Sequence, residues 1–567
     1  MFPSVPIITA GLRPDLFSQI GTRTLSRALL AAVLSLFVLA GMGFRVVGLS
    51  KEGLSEDELN KLNAVTDYRA HGLTSANGEH PLLMKAALTV SVIASERWNQ
   101  TSLVVAHPEL NIPVETSLRI PGAILGALCA ALVFLIGTEL FGLEIGLIAA
   151  ALWSFDPLTI GFNRIAKEDT FLVFFFLLAN VFWLRGQRVA ESQPHRRPEI
   201  FYWAAAASFG AMLASKYIPQ LFAISVSYYY VFQRVPPTRW RLGKKKWLKF
   251  FIVMGVVFLA LNPTILLPGT WRTILNFTGY KMMGHDSYEF MGRLYPHRVA
   301  DWLRGEPWYF YFALLGVKLP LPALFGFVVG FVLLFRKKIG DGRYFLLMWL
   351  FFWGLTFTFT GGKFTRYATA LMPAVMITAA LGIQFGARKF GQLCRRVLDS
   401  GPAGVYASAA VVSLAIIATL WSSARAAPHF RLYMNVLSGG SARAGAYFPQ
   451  DEFYDAHMQN AMREIASRAR LGARVANEIP LLADYYGKRA GRADLICVEM
   501  SDPVELAKLL PGDFLIDARG RTYFSNQAML MRLRQASTPV FTVSVGATPA
   551  ADVYVLNEES LAALRGK

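Results

Sequence analysis

GLSEDELNKLNAVTDYRAHGLTSANGEHPLLMK, residues 53–85, separates the first hydrophobic segment of the chain from the second. Ionisable groups concentrated in this way between hydrophobic segments indicate an active site at a membrane surface. The alternative is a solvated loop with a charged helix start, in which Ser55 caps the helix and Glu58 completes the capping box. The ionisable residues that support the first interpretation are Glu56, Asp57, Glu58, His80 and Lys85.

The composition is that of a membrane protein with a soluble part. Of 567 residues, 54% are hydrophobic and only 17% are charged, against about 25% charged in average soluble domains. The formal net charge is +19, but the basic residues cluster in short loops between apolar segments, as the positive-inside rule expects. No basic groove motif is visible, so we expect no nucleic-acid partner. The three cysteines have neither zinc-site nor disulfide-framework spacing.

The hydrophobic segments predict an all-α polytopic membrane domain over residues 28–424, with about eleven transmembrane helices near the length that a bilayer requires. The first segment, 28–49, is followed by no small-residue cleavage site, so we expect a retained anchor and not a signal peptide. The two segments on either side of Lys216 are also compatible with one broken element. The further segments are 119–141, 143–162, 169–185, 199–215, 217–233, 249–268, 308–335, 344–361, 367–386 and 403–424.

The positive charges predict the orientation of this domain. With an inside N-terminus and eleven helices, four basic loops share one side, which the positive-inside rule assigns to the cytoplasm. Residues 1–27 are then cytoplasmic, whereas the loops 50–117 and 269–307 and the tail 425–567 lie outside. The four basic loops are 185–197, 234–249, 336–343 and 388–396.

The tail, residues 425–567, alternates helical and strand-like stretches, which predicts an extracytoplasmic α/β domain. An amphipathic helix is expected at 457–470. The tail has no Gly-rich phosphate loop and no nucleophile motif, so we expect a structural role or recognition of an acceptor. The expected strands are 474–476, 495–498, 514–516, 541–545 and 553–556.

Several charges lie at the predicted outer boundary of the membrane and break the positive-inside pattern. Such groups are costly and tend to be functional, although interfacial snorkelling accounts for any single Lys or Arg. Cations there suit a phosphate at headgroup depth, and carboxylates suit a general base or a divalent cation. The boundary residues are Arg119, Arg164, Lys167, Glu168, Asp169, Lys216, Lys363 and Arg366.

Short motifs follow one another in a characteristic order between residue 50 and residue 375. They are Asp57-Glu58, HPLLMK at 80–85 with Leu82 in place of a second proline, Arg119 with Ile-Pro-Gly, Arg164 with Asp169, GEPWYFYFALLGVKLPLP at 305–322, and Arg366-Tyr367 with Pro373. This order resembles the C-type membrane glycosyltransferases. It is most similar to bacterial relatives of the dolichyl-phosphate-mannose protein mannosyltransferases and of the lipid A aminoarabinose transferases.

The resemblance implies the C-type glycosyltransferase fold and an inverting hexosyl- or pentosyltransferase of a bacterial inner membrane. The donor would be a polyprenyl-phosphate-linked sugar, and the acceptor would lie on the outer face. Asp57 would be the general base, with Glu58 orienting the acceptor or neighbouring groups, and Asp57 with Asp169 would bind a divalent cation, as in some relatives. Lys85, Arg119, Arg164, Lys216 and Arg366 would hold the donor phosphate, and His80, Tyr367 and His285 would contact acceptor or sugar.

Several alternatives remain open at this point. His80 also suits the start of a helix before Pro81, and His285 suits an ordinary loop position. Three classes of acceptor are open: a protein, as for a protein O-mannosyltransferase, a lipid, or a growing glycan. The main rival from another class is a secondary transporter of a lipid-linked or anionic substrate. Secondary transporters commonly have inverted repeats and bind their substrate near the midplane of the membrane, whereas the charges of this chain lie at the outer boundary.

Overall fold

The computed structural model describes residues 27–192, 197–217, 244–279 and 285–566, so the predicted segment 217–233 lies almost wholly outside the described residues. Helices make up the described part of the membrane domain. They are α1 (Arg27–Val46), α2 (Glu56–His71), α3 (Leu82–Asn99), α4 (Ser102–Ala106), α5 (Val114–Phe141), α6 (Leu143–Phe155), α7 (Pro157–Asn163), α8 (Glu168–Ser192), α9 (Glu199–Leu213), α10 (Lys244–Leu261), α11 (Pro268–Gly279), α12 (Phe310–Lys318), α13 (Leu321–Leu334), α14 (Gly342–Phe359), α15 (Met372–Val397) and α16 (Gly401–Ala426).

Among the described helices, four are long and apolar enough to cross a membrane, and the pair α6–α7, bent by 60°, is a fifth span if it is counted as one. The predicted count of about eleven is not confirmed. Two predicted segments are each divided at a proline: Pro157 begins α7, and Pro320 caps the start of α13. Proline lacks the N–H that continues a helix, so a new helix starts there.

Helices α13 and α15 pack closely because glycine faces backbone at their contact. A Cβ atom on Gly382 would lie 1.9 Å from the carbonyl oxygen of Gly326, and one on Gly330 would lie 1.8 Å from that of Thr378. Small residues allow such close approach between membrane helices, where burial of apolar surface supplies little driving force. Helix α15 is buried along most of its length, so it forms a central support for the loop that precedes it.

The tail contains the predicted small α/β domain, and the strands expected from the sequence are confirmed. Its helices are α17 (Pro449–Phe453), α18 (Met458–Arg468), α19 (Pro480–Arg489), α20 (Pro503–Ala507), α21 (Gln527–Ala536) and α22 (Glu558–Arg565). Its strands are β3 (Arg474–Asn477), β4 (Ile496–Glu499), β5 (Phe514–Ala518), β6 (Phe541–Val545) and β7 (Thr548–Val555), after an outer-loop hairpin of β1 (Ser287–Phe290) and β2 (Arg293–Pro296). The sheet order is β4-β3-β5-β7-β6, with β3 parallel to β4 and β5, and β7 antiparallel to β5 and β6.

The segment between α16 and the sheet is anchored to the membrane domain. The carboxylate of Asp451 accepts hydrogen bonds from the Thr365 backbone N–H at 2.7 Å and from the Tyr288 hydroxyl at 2.8 Å. The neighbouring Glu452 pairs with Lys318 at 2.9 Å, and both side chains are buried. Residues near the start of the tail therefore form part of the contact between the tail and the membrane domain.

Reporter fusions test the predicted orientation, because the basic loops are its only support. A reporter near residue 110 and another at the C-terminus should both report an outside location, and one near Lys245 should report an inside location. A cytoplasmic C-terminus would contradict the orientation.

Candidate active site

A cavity of about 460 Å³ opens where α2, α14, the loops around residues 77–80 and 362–367, and the segment 450–455 meet. Segments distant in the sequence thus supply its charged wall. The predicted site residues that line it are Asp57, His80, Lys216, His285, Arg366 and Tyr367, joined by Lys167, Tyr454 and Arg521.

The acidic cluster begins α2, and its local chemistry is the predicted capping box. The Ser55 side chain accepts a hydrogen bond from the Glu58 backbone N–H, and the Glu58 carboxylate accepts one from the Ser55 N–H at 3.0 Å. Successive residues of a helix point about 100° apart. Asp57 and Glu58 consequently face different surroundings: Asp57 lines the cavity, whereas Glu58 is fully buried.

Asp57 is the carboxylate of the pair that a ligand can reach, since about a third of its side chain (35%) is exposed. Its Oδ2 accepts a hydrogen bond from the Tyr454 hydroxyl at 2.8 Å and lies 2.8 Å from the Lys167 ammonium. Burial alone would raise the pKa of Asp57, but the positive charges of Lys167 and Arg366 outweigh it and hold the pKa well below its usual range. Asp57 is therefore ionised at neutral pH.

Arg119 does not reach the cavity, which corrects its assignment to the donor phosphate. Its Nε and Nη2 donate to the two carboxylate oxygens of Glu58 at 2.7 and 2.6 Å. Its remaining N–H groups donate to the backbone carbonyls of Leu49, Glu52 and Gly53. All five guanidinium donors are thus used, and the pair is buried, so Arg119 and Glu58 hold the chain that leads into α2. This places Glu58 behind Asp57 and not against a ligand.

Arg164, also assigned to the donor phosphate, does not line the cavity. Its guanidinium caps the end of α1. Its guanidinium donates to the carbonyls of Phe44, Val47 and Gly48, each at 2.8 Å. The last carbonyls of a helix have no partner within it, and a cation there is favoured by the helix dipole. Arg164 therefore holds the end of α1, and it does not line the cavity.

Lys85, the third residue assigned to the donor phosphate that does not line the cavity, has its ammonium enclosed by backbone carbonyls. The Nζ atom donates to the carbonyls of Ala76, Asn77 and His80 at 3.1, 2.8 and 2.9 Å. These three bonds use all of its donors, and burial lowers its pKa to about 7. Lys85 shapes the loop that carries His80 into the cavity.

Arg366 and Lys216 are the predicted phosphate cations that do line the cavity. The Lys216 ammonium pairs with Asp169 Oδ1 at 2.5 Å and lies 4.6 Å from the centre of the Tyr367 ring. The Arg366 guanidinium stacks on Phe364 and stands 3.9 Å from Asp169 and 3.7 Å from Asp451. Its Nε is buried without a hydrogen-bond partner in the described chain. Arg366 thus has hydrogen-bonding capacity to spare.

The three predicted sugar or acceptor contacts have different settings. His80 Nδ1 is 3.3 Å from buried Glu168, and burial lowers the pKa of His80, so its ring is neutral at neutral pH. Tyr367 stacks on Phe357 in the cavity wall. His285 accepts from Arg521 at 2.8 Å and stacks on Tyr523, and burial with the Arg521 charge lowers the pKa of His285 to about 3.

The sequence analysis missed the contribution of the tail. Tyr454 donates to Asp57, and Arg521 binds Asp455 through two hydrogen bonds of 2.9 and 2.6 Å. Tyr454 and Asp455 both have positive φ, 47° and 61°, which is uncommon for residues other than glycine and is found at functional sites. No motif marks these residues. Lys167 had a signal, because it lies among the boundary charges, but it was given no role.

The carboxylates proposed for a divalent cation do not fit one as they are arranged. Asp57 and Asp169 are each neutralised by a lysine, Lys167 and Lys216. Hard divalent cations take several oxygen ligands, and in the described part of the chain no group of three His, Cys, Asp or Glu side chains could hold a metal ion. Binding of a divalent cation by Asp57 and Asp169 stays a prediction.

Comparisons with known proteins agree with this architecture. Residues 109–265 match the family described as dolichyl-phosphate-mannose-protein mannosyltransferase. ArnT from Cupriavidus metallidurans in the apo state is similar in structure, with a TM-score of 0.50 and 13% identity over 92% of this chain and 98% of ArnT. The apo oligosaccharyltransferase of Archaeoglobus fulgidus is similar with a TM-score of 0.52 and 11% identity, over 87% of this chain and 70% of that one. No curated protein matches the sequence significantly.

At such low identities the structural likeness shows the fold alone. Together with the family match it confirms the resemblance to the C-type membrane glycosyltransferases that the motif order indicated. The chain is a membrane protein with that fold.

Proposed function

We propose that this protein transfers a sugar from a polyprenyl-phosphate-linked donor to an acceptor hydroxyl on the outer face of a bacterial inner membrane. One observation carries the proposal: the ionised carboxylate of Asp57 and the incompletely hydrogen-bonded guanidinium of Arg366 line the same cavity. The family match over residues 109–265 supports sugar transfer over transport.

Arg366 and Lys216 are the groups suited to the donor phosphate. A phosphate oxygen at Arg366 would complete the hydrogen bonding of a guanidinium that lies 3.7 Å from Asp451 and 3.9 Å from Asp169. Charge-assisted bonds of this kind are short and strong. They would also stabilise the polyprenyl phosphate as it leaves with the electron pair of the broken bond.

The apolar part of the cavity wall suits the lipid portion of such a donor. Helix α14 and the following loop contribute Trp353, Phe357 and Phe364 to the lining. An isoprenoid chain could lie along this helix with its phosphate at Arg366.

In the proposed reaction Asp57 acts as the general base of a single displacement. The acceptor oxygen attacks the anomeric carbon, the bond from that carbon to the phosphate oxygen breaks, and the acceptor proton passes to Asp57. A single displacement inverts the anomeric configuration. Because Arg366 and Lys167 depress the pKa of Asp57, a bound phosphate that offsets their charge makes Asp57 a stronger base.

One form of the proposed reaction has a protein acceptor, as in a protein O-mannosyltransferase. The description of the matching family names this form, and a glycan acceptor suits the same chemistry at Asp57 and Arg366. Mass spectrometry of envelope glycoproteins, with and without the gene, would test it: loss of O-linked hexose from proteins would support a protein acceptor, and unchanged proteins with altered glycans or lipids would contradict it.

Replacing Arg366 by alanine tests the phosphate site. Arg366→Ala should raise the donor concentration needed for half-maximal transfer by about tenfold or more, because a hydrogen bond to a charged group contributes roughly 1.5–3 kcal/mol. The measurement is transfer of a radiolabelled sugar from its polyprenyl-phosphate carrier by purified protein. Arg97→Ala, at an exposed arginine of α3 outside the cavity, is the matched control. Normal donor use by both Arg366→Ala and Lys216→Ala would place the phosphate elsewhere.

A further inference from the structure

A second cavity, also of about 460 Å³, lies beside the catalytic one, between the hairpin β1–β2, residues 445–449 and the C-terminal sheet. We propose that this cavity binds sugar residues of an oligosaccharide acceptor, at a distance from the hydroxyl that reacts. The proposal rests on the proposed function, because an acceptor presupposes transfer. The polar lining of the cavity includes Glu289, Asp517, Arg519, Thr522, Gln527 and Arg534.

The two cavities share one thin wall. Along residues 519–522, Arg519 and Thr522 line the second cavity, whereas Arg521 between them lines the catalytic cavity. Gly520 crosses the segment that bears Gln450 so closely that a Cβ atom would lie 2.4 Å from the Gln450 backbone, and its φ is +81°. A molecule that reaches over this crossing can occupy both cavities, so the second one is placed to hold the remainder of an extended acceptor.

The second cavity offers polar groups that the protein leaves unused. The side chains of Glu289, Arg519 and Gln527 have no hydrogen-bond or ion-pair partner within the described residues. By contrast, Asp517 and Arg534 are paired with each other through two bonds of 2.7 and 2.9 Å. Burial raises the pKa of Glu289 in spite of the nearby arginine charges, as expected for a carboxylate without a direct partner.

The chemistry of these groups selects the class of ligand. A carboxylate, a guanidinium and an amide side by side supply both acceptors and donors, which suits sugar hydroxyls because each hydroxyl both donates and accepts. Ionisable walls disfavour a lipid chain, since burying unpaired charges against hydrocarbon is costly. The C-terminal sheet contributes β5 and β7, which are inner strands of its order, so that sheet offers no free edge there to which an extended peptide adds.

Binding of the full-length protein to an array of neutral and acidic oligosaccharides, printed beside peptides, tests the proposal. We expect at least one oligosaccharide class to bind to the wild-type protein. Glu289→Ala and Arg519→Ala should each weaken that binding about tenfold, the effect of one charge-assisted hydrogen bond. Met531→Trp, which fills the cavity from α21, should also weaken it, and Arg97→Ala should not.

The outcomes separate this proposal from the proposed function. Absence of oligosaccharide binding by wild type, or unchanged binding by Glu289→Ala, Arg519→Ala and Met531→Trp, would overturn the subsite, and selective binding of peptides would overturn the ligand class. Transfer from the polyprenyl-phosphate donor is measured separately. Oligosaccharide binding without any transfer would contradict the proposed function and leave the subsite standing.

Discussion

Asp57→Asn should lower the turnover of sugar transfer by about 10²–10⁴-fold, the usual contribution of a positioned general base. Asparagine keeps the shape of the side chain and can still accept the hydrogen bond from Tyr454, but it cannot take the acceptor proton. The fold should survive, because Asp57 is partly exposed and the capping box uses Ser55 and Glu58 instead. Donor binding should be retained, since the phosphate is proposed to lie at Arg366.

The measurement is radiolabelled transfer by purified variants at saturating donor. Asp67→Asn is the matched control, because Asp67 lies on the same helix, outside the cavity lining, and should leave turnover close to the wild-type value. Near-normal turnover of Asp57→Asn would remove Asp57 as the base and return the acidic cluster to the role of a helix start.

Glu58→Gln should destabilise the folded protein by about 3–5 kcal/mol, because breaking one partner of a buried ion pair leaves the other charge uncompensated. The resemblance implied that Glu58 orients the acceptor or neighbouring groups. In the structure Glu58 holds Arg119 through two bonds and accepts the Ala166 N–H at 2.9 Å.

Denaturant unfolding of purified protein in detergent measures this effect. The exposed pair Arg69–Glu96, at 2.7 Å, supplies the control: Glu96→Gln should cost less than about 1 kcal/mol, as surface ion pairs do. Equal stability of Glu58→Gln and Glu96→Gln would show that the buried pair does not hold the loop.

The same pair predicts a loss of stability in acid. Burial would raise the pKa of Glu58, but Arg119 outweighs it and lowers the pKa below the usual value. A carboxyl group with a lowered pKa in the folded state stabilises that state fully above its unfolded pKa, about 4.3. The stabilisation is lost as the pH falls through the lower folded value. In Glu58→Gln this part of the acid dependence should disappear.

The sequence alone determined what depends on local chemistry. Hydrophobic segments predicted a membrane domain, and alternating short elements predicted the α/β tail. The capping box at Ser55 followed from spacing, and the unequal settings of Asp57 and Glu58 followed from the 3.6-residue helical repeat. The order of the short motifs indicated the fold, because that order can be compared with a known family without any knowledge of tertiary contacts.

Only the tertiary structure decided which cations face the cavity. In the sequence all five predicted phosphate cations have the same appearance, a basic residue at the outer boundary or in the outer loop. In the structure three of them, Arg119, Arg164 and Lys85, donate their hydrogen bonds to backbone carbonyls and, for Arg119, to a buried carboxylate. Arg366 and Lys216 line the cavity. The predicted count of about eleven spans is not confirmed, and only the structure shows that two predicted segments each form two helices that meet at a proline.

The tertiary structure also brought the tail into the site. The hydroxyl of Tyr454 meets Asp57 across 397 residues, and Arg521 meets Glu56 across 465. Periodicity, capping and composition report on neighbours within a few residues. A hydrogen bond between distant segments depends on how helices and sheet pack, and one sequence carries no separate signal for it.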